Sequence, residues 1–237
     1  MNVEYIHPRN QYQLIIDKWN LLSDVSKETK SILRRGLWCC INPIETHGGI
    51  LITGINPSYN KNALDEPNDC SFQDTVNSNG SNYWQTKHEM VKGLGVATAY
   101  IDLFPLRMTK QDSFMNDDVI PLRLKVELLQ ITQQCIESIH PRLIINPNMS
   151  SRVYWGLDEH YSWMGYDMEQ VVNPTNKGQL YRIKGIKNKN DVLLPEFCSC
   201  LDGTHFLQYK YHGNGVLKRK QYITHEDINK LWSYINR

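Results

Sequence analysis

Four short apolar runs alternate with stretches whose apolar residues recur at helical spacing, and this alternation is the strongest constraint on what the chain can fold into. The runs are Ile50 to Thr53, Ala97 to Phe104, Leu143 to Ile145 and Thr204 to Tyr211. Short apolar runs bounded by turn residues read as buried strands. Between them, Tyr83 to Gly93 reads as a helix ended by glycine. Pro121 begins another, in which Val126, Leu129, Cys135, Ile136 and Ile139 share one face. Strands alternating with helices predict a parallel sheet covered on both faces, and right-handed crossovers place all four carboxyl ends on one edge. The expected class is α/β: a three-layer α/β/α domain over residues 1–237, with a four-stranded, mostly parallel central sheet.

The flanks read less sharply. Residues 1–47 are expected to be N-terminal helices, the first over Gln11 to Leu22 on Leu14, Ile15, Trp19 and Leu22, the second capped by Ser26 and ended at Gly36. Leu37 to Ile41 is not counted as a strand, because Pro43 cuts it off. Asn60 to Asn82 is polar and reads as a long loop, a feature more often functional or disordered than a plain connector. Residues 154–200 read as an irregular insertion holding a short strand at Leu180 to Ile183. Thr224 and Asp227 form a capping box for a last helix with Ile228, Leu231, Trp232 and Ile235 on one face.

Composition narrows the class. The 237 residues are 41% hydrophobic and 22% charged, with a net charge of +1, so no global basic field announces nucleic acid. The dense basic cluster is the segment Lys210 to Lys220, with Lys218-Arg219-Lys220, whose plainest reading is a solvated strand end. None of the six cysteines forms a Cys-x-x-Cys pair, so no metal or iron–sulfur site has ligand-like spacing. Cys198, Cys200, His205 and His212 assemble into a metal site only on paper, since an alternating Cys-Ser-Cys more often places two small thiols on one strand face. No cofactor is expected. The amino terminus lacks a signal pattern and no apolar run reaches membrane-spanning length, so the expectation is a cytoplasmic protein with no membrane and no obligate protein partner.

The first apolar run empties into Gly54-Ile55-Asn56-Pro57-Ser58-Tyr59. Ligands of open α/β sheets bind at such strand ends. Gly54 lets a backbone approach a ligand, Pro57 stiffens the turn, and Asn56 offers both a donor and an acceptor. Asn56, Asp102, Asn146 and His212 fall at or near the four strand ends, and this convergence locates the expected site.

In order and spacing, Gly-Ile-Asn-Pro, a long polar loop, Tyr83-Trp84 opening a helix and a strand ending in Asp-Leu-Phe-Pro-Leu-Arg resemble the uracil-DNA glycosylase superfamily, most nearly its mismatch-specific and single-strand-selective branches. The resemblance covers roughly Ile50 to Trp155. It implies an enzyme that flips a damaged or mismatched base, such as uracil, from DNA and hydrolyses the base–sugar bond. Asn56 would orient the attacking water. Gly54, Ile55, Pro57 and Ser58 would face the base and Tyr59 would stack on it, with Asp102, Asn146 and Asn214 as further base contacts. Arg107, Arg152, Lys218, Arg219 and Lys220 would meet DNA. Ser58 departs from the usual glycine. The late His-Pro-Ser or Asn-Pro-Ser motif is also altered: His212-Gly213-Asn214 stands after the fourth strand, whereas Asn146-Pro147-Asn148 imitates the motif after the third. Topology favours His212 as the second catalytic group and local sequence favours Asn146.

Each residue also has a plainer reading. Asn56 serves as a turn residue, Tyr83 and Trp84 as core aromatics, Asp102 as a cap for loop amides, His212 as a turn closer, and the two arginines as partners of surface acids. The alternative function is a catalytically inactive module on the same fold that binds nucleic acid or a nucleobase. A general nucleotide-binding protein is disfavoured, because no glycine-rich phosphate loop is present.

Overall fold

The computed structural model describes residues 8–39, 47–59, 71–78, 81–109, 117–157, 163–187, 199–210 and 223–237. β1 (Ile50–Gly54) is flanked by β2 (Thr98–Asp102) and β3 (Leu143–Asn146), and β6 (His205–Gln208) pairs with β3, all in parallel. β5 (Gln179–Ile186) then runs antiparallel to β6, and β4 (Tyr166–Val171) antiparallel to β5. The result is one mixed six-stranded sheet in the order β2-β1-β3-β6-β5-β4. The class is α/β, with two more strands than the four expected. The extra pair is a hairpin inside the stretch read as irregular. β4 is an edge strand of sequence Tyr-Asp-Met-Glu-Gln-Val with only its first residue buried, so it carries almost no apolar signal.

The described helices are α1 (Pro8–Leu21), α2 (Lys27–Leu33), α3 (Phe72–Ser78), α4 (Asn82–Val91), α5 (Leu122–Ile139), α6 (Arg152–Trp155) and α7 (His225–Ile235). Strand side chains alternate between the faces of a sheet, so each apolar strand here feeds two cores. Leu51, Ala99, Ile144 and Phe206 meet Tyr12, Ile16 and Trp19 of α1, Ile32 and Leu33 of α2, and Leu128 and Ile136 of α5. Ile50, Ile52, Tyr100, Ile145 and Leu207 meet Phe72 and Val76 of α3, Trp84, Met90 and Val91 of α4, and Ile228 and Leu231 of α7.

Local expectations differ from the structure in two further places. On α1 the buried stripe is Tyr12, Ile16 and Trp19, while Leu14 is 71% exposed; Tyr12 anchors the stripe by hydrogen bonding to the Thr132 hydroxyl at 2.7 Å. α3 lies within the stretch read as loop. It is nucleated by a reciprocal cap, in which Ser71 Oγ donates to Asp74 Oδ2 and accepts from the Asp74 N–H. The caps on α2 and α7 form as the sequence suggests: Ser26 Oγ accepts from Thr29 N–H, and Thr224 and Asp227 complete a capping box. No helix among the described residues is long and apolar enough to cross a membrane.

Candidate functional site

The parallel strands bring the ends of β1, β2, β3 and β6 to one edge. Beyond β1 the chain stays zipped to the segment beyond β2: Leu103 N–H donates to Gly54 O at 3.0 Å, Phe104 N–H to Ile55 O at 2.9 Å, and Met108 N–H to Pro57 O at 3.0 Å. Asn56 sits in this seam. Its amide nitrogen donates to Pro57 O at 3.0 Å and Met108 O at 3.1 Å. Two carbonyl partners fix the amide's orientation, because only its nitrogen can donate. The other end of the amide, Oδ1, is buried without a hydrogen-bond partner among the described residues. Buried acceptors are nearly always satisfied in folded proteins, so an orphan of this kind calls for a ligand or a water.

Asn56 lines a concavity of about 260 Å³ together with Gly54, Ile55, Tyr83, Lys87, Pro147, Asn148, Met149, Ser150 and Lys210. That is room for one small planar ring, below the roughly 300–1,000 Å³ of drug-sized pockets. Its walls come from the turn after β1, the loop after β3, the residue two past β6, and α4.

Beside this concavity lies a buried polar cluster. Tyr83 and Tyr100 share a hydroxyl–hydroxyl bond of 2.9 Å, and Tyr100 Oη donates to Asp102 Oδ1 at 2.8 Å. The Lys87 ammonium nitrogen sits 3.1 Å from the centroid of the Tyr83 ring. Lys87 is 1% exposed and Asp102 7%, and Trp84, stacked edge-on against Tyr83 and Tyr100, helps to keep the surroundings apolar. Removal from water disfavours both charges. Burial pushes Lys87 down to about 7 against the pull of Asp102, and burial pushes Asp102 up to about 7 against its bond from Tyr100 and the field of Lys87. Tyr100 is driven well above the ordinary phenol range, by burial first and then by the neighbouring carboxylate. Burial thus shifts both groups toward their neutral forms, a perturbation of the kind found at functional acids and bases.

Gly54 has a second physical reason beside the one expected. A Cβ there would overlap Asp102 Oδ1 and Tyr100 Oη. The missing side chain makes room for the cluster, which itself borders the concavity.

The structure separates the expected site residues. Gly54, Ile55 and Asn56 line the concavity, and Asp102 lies behind its wall, bound to Tyr100. Tyr59 is not among the lining residues, and its ring lies 4.6 Å from the Arg35 guanidinium carbon, a cation–π contact on one of its faces. Ser58 is exposed, and neither it nor Pro57 is among the lining residues. Asn146 is 0% exposed and held at both ends of its amide: the nitrogen donates to Gln208 Oε1 at 2.8 Å, while the oxygen accepts from the Thr53 and Ser151 hydroxyls. It braces the loop whose next residues, Pro147 to Ser150, form the wall. Arg107 is buried, whereas Arg152 is half-buried and donates from Nη2 to Leu157 O just past the end of α6. His212, Asn214, Lys218, Arg219 and Lys220 lie outside the described residues.

Sequence reasoning missed Lys87 and Tyr100. Both left a signal. Lys87 shares the helical stripe of Trp84, Met90 and Val91, where a lysine has no solvated explanation. Tyr100 precedes Asp102 by two, and so shares its face of the strand. No protein-family model matches this chain, and no curated protein matches it.

Proposed function

We propose that the concavity at the carboxyl edge of the sheet takes a nucleobase, and that the protein is a DNA glycosylase hydrolysing the base–sugar bond of uracil or another damaged or mismatched base. On this reading the domain is a three-layer α/β/α unit of the uracil-DNA glycosylase type, with DNA as its partner. The observation that carries the reading is Asn56: an amide clamped by two carbonyls, with its buried oxygen unpartnered among the described residues, at the wall of a ring-sized concavity. An acceptor held this rigidly can orient one water toward the sugar carbon C1′. An amide cannot take a full proton, so the reaction must lean on stabilising the departing base. As the C1′–N bond breaks, its electron pair goes to the base, and the cations in the wall, Lys87 and Lys210, oppose the developing charge. Tyr83 offers an aromatic face at the rim, being 37% exposed and a lining residue.

The test is release of free base from single- and double-stranded oligonucleotides carrying uracil, hypoxanthine or a mismatch, at enzyme excess. Base release with an intact strand supports the proposal. Salt-dependent DNA binding without release from any substrate favours the inactive binding module instead.

A further inference from the structure

A buried amine lines the concavity, and base release by water does not call on it as a nucleophile. We propose that Lys87 is a nucleophile that captures an aldehyde in this pocket as an imine. The aldehyde implied by the base-release reading, on which that part of the inference rests, is the open-chain C1′ aldehyde of an abasic deoxyribose.

Imine formation needs three things. The amine must be neutral, the site must be dry, and an acid must deliver a proton to the oxygen that leaves as water. Lys87 meets the first two by its place: 1% exposed, on the apolar stripe of α4, and a lining residue of the concavity. Desolvation holds its amine at about 7, so a large fraction is unprotonated at neutral pH. The third is supplied by the hydroxyl chain. Asp102, protonated in the same pH range, contacts Tyr100 at 2.8 Å, and Tyr100 contacts Tyr83 at 2.9 Å. Tyr83 lines the concavity. The chain thus leads from a buried carboxylic acid to the pocket.

The step balances. The Lys87 nitrogen lone pair bonds to the aldehyde carbon while the C=O π pair moves to oxygen. Two protons pass in turn along Asp102, Tyr100 and Tyr83 to that oxygen, the first giving the carbinolamine hydroxyl and the second letting it leave as water while the nitrogen lone pair forms the C=N bond. The two protons lost by the nitrogen return one after the other to Asp102, so amine and aldehyde give imine and water with no change of oxidation state. The same lysine can first give its proton to the departing base and so enter this step neutral. Among the described residues, the titratable groups lining the pocket or coupled to Lys87 are Asp102, Tyr100, Tyr83 and Lys210. Lys210 shares the pocket wall.

The experiment is borohydride trapping of the full chain with an oligonucleotide bearing a pre-formed abasic site and, separately, with glycolaldehyde, followed by peptide mapping. The expected result is a reduced secondary amine concentrated on Lys87, with half-maximal trapping near pH 7, well below the range of surface lysines. Lys87→Arg, checked for folding by circular dichroism, should lose trapping by more than tenfold, and Asp102→Asn should slow it without moving it to another lysine. Because mapping of the parent protein identifies the residue directly, a variant that fails to fold leaves the test intact. Trapping by glycolaldehyde alone upholds the reactive amine and overturns abasic DNA as the source. No adduct, or adducts spread over surface lysines, overturns the inference. Base release measured in parallel separates the two readings: release without trapping leaves a glycosylase whose Lys87 is not a nucleophile. Trapping without release leaves the amine and removes the glycosylase.

Discussion

Gly54→Ala should be among the most damaging single-methyl changes available to this protein, for a reason unrelated to backbone conformation. Its added methyl would overlap Asp102 Oδ1 and Tyr100 Oη and stand 3.2 Å from Asp102 Cγ. Neither oxygen has open solvent to swing into, since Asp102 is 7% and Tyr100 2% exposed. Relief requires breaking the 2.8 Å bond from Tyr100 to Asp102. A hydrogen bond to a charged group is worth about 1.5–3 kcal/mol, and forcing extra volume into a packed site costs about 1–3 kcal/mol more. The sum is a loss of roughly 3–5 kcal/mol, a large share of a typical folding free energy. Urea denaturation of the parent and of Gly54→Ala at one pH measures it. The diagnostic comparison is the same substitution in a Tyr100→Phe/Asp102→Ala background, where both obstructing oxygens are gone. There the methyl should cost under about 1 kcal/mol, since alanine alone tends to favour a regular strand over glycine, leaving a coupling of about 3 kcal/mol. Equal cost in both backgrounds would refute the argument that Gly54 exists to accommodate the cluster.

The buried pair also predicts an unusual pH profile. Asp102, raised to about 7, makes the fold lose stability as pH rises from its ordinary range toward 7; Lys87, lowered to about 7, makes it regain stability as pH rises from 7 toward 10. Relative to Asp102→Asn/Lys87→Met, the parent should be least stable near pH 7 and recover by about 2 kcal/mol at pH 5 and at pH 9, at roughly 1.4 kcal/mol per pKa unit; chemical denaturation at the three pH values checks it, and a flat difference rejects it. Asn146→Ala leaves the Gln208 amide and the Thr53 and Ser151 hydroxyls without their shared partner, so it should cost about 3 kcal/mol or more in denaturation. If Asn146 is structural, any base release per folded molecule should survive at a temperature where the variant stays folded. Thr224→Ala removes the hydroxyl of the α7 capping box and should lower stability by about 1 kcal/mol by thermal melting, with no change in ligand binding.

How far the sequence speaks depends on which forces write into it. The parallel strands β1, β2 and β3 are buried on both faces, so each appears as an apolar run with a turn behind it, and the edge carrying Asn56 and Asp102 follows. β4 gives no such signal because an edge strand needs few apolar residues, and β5 was seen only in part, at Leu180 to Ile183, where its side chains are mostly buried. Asn56 was legible because Gly-x-Asn-Pro is a local signal. Asn146 stands in an equally local signal. Its local resemblance to a catalytic motif is real, but the partner that consumes its amide, Gln208, lies 62 residues away. Tyr83 and Trp84 show how neighbours divide: a helix turns by about 100° per residue, so Trp84 is buried in the core while Tyr83 is 37% exposed at the pocket rim. Nothing local to Tyr59 names Arg35, 24 residues earlier, as its cation–π partner.

The measurement that bears most directly on the central claim is single-turnover base release by the parent and by Asn56→Ala, on uracil-containing oligonucleotides with DNA binding measured alongside. The account predicts release by the parent, a loss of about 2 kcal/mol or more of transition-state stabilisation in the variant (some thirtyfold in rate), and nearly unchanged DNA affinity. Release at the parent's rate by Asn56→Ala, with the variant shown to be folded, would contradict it.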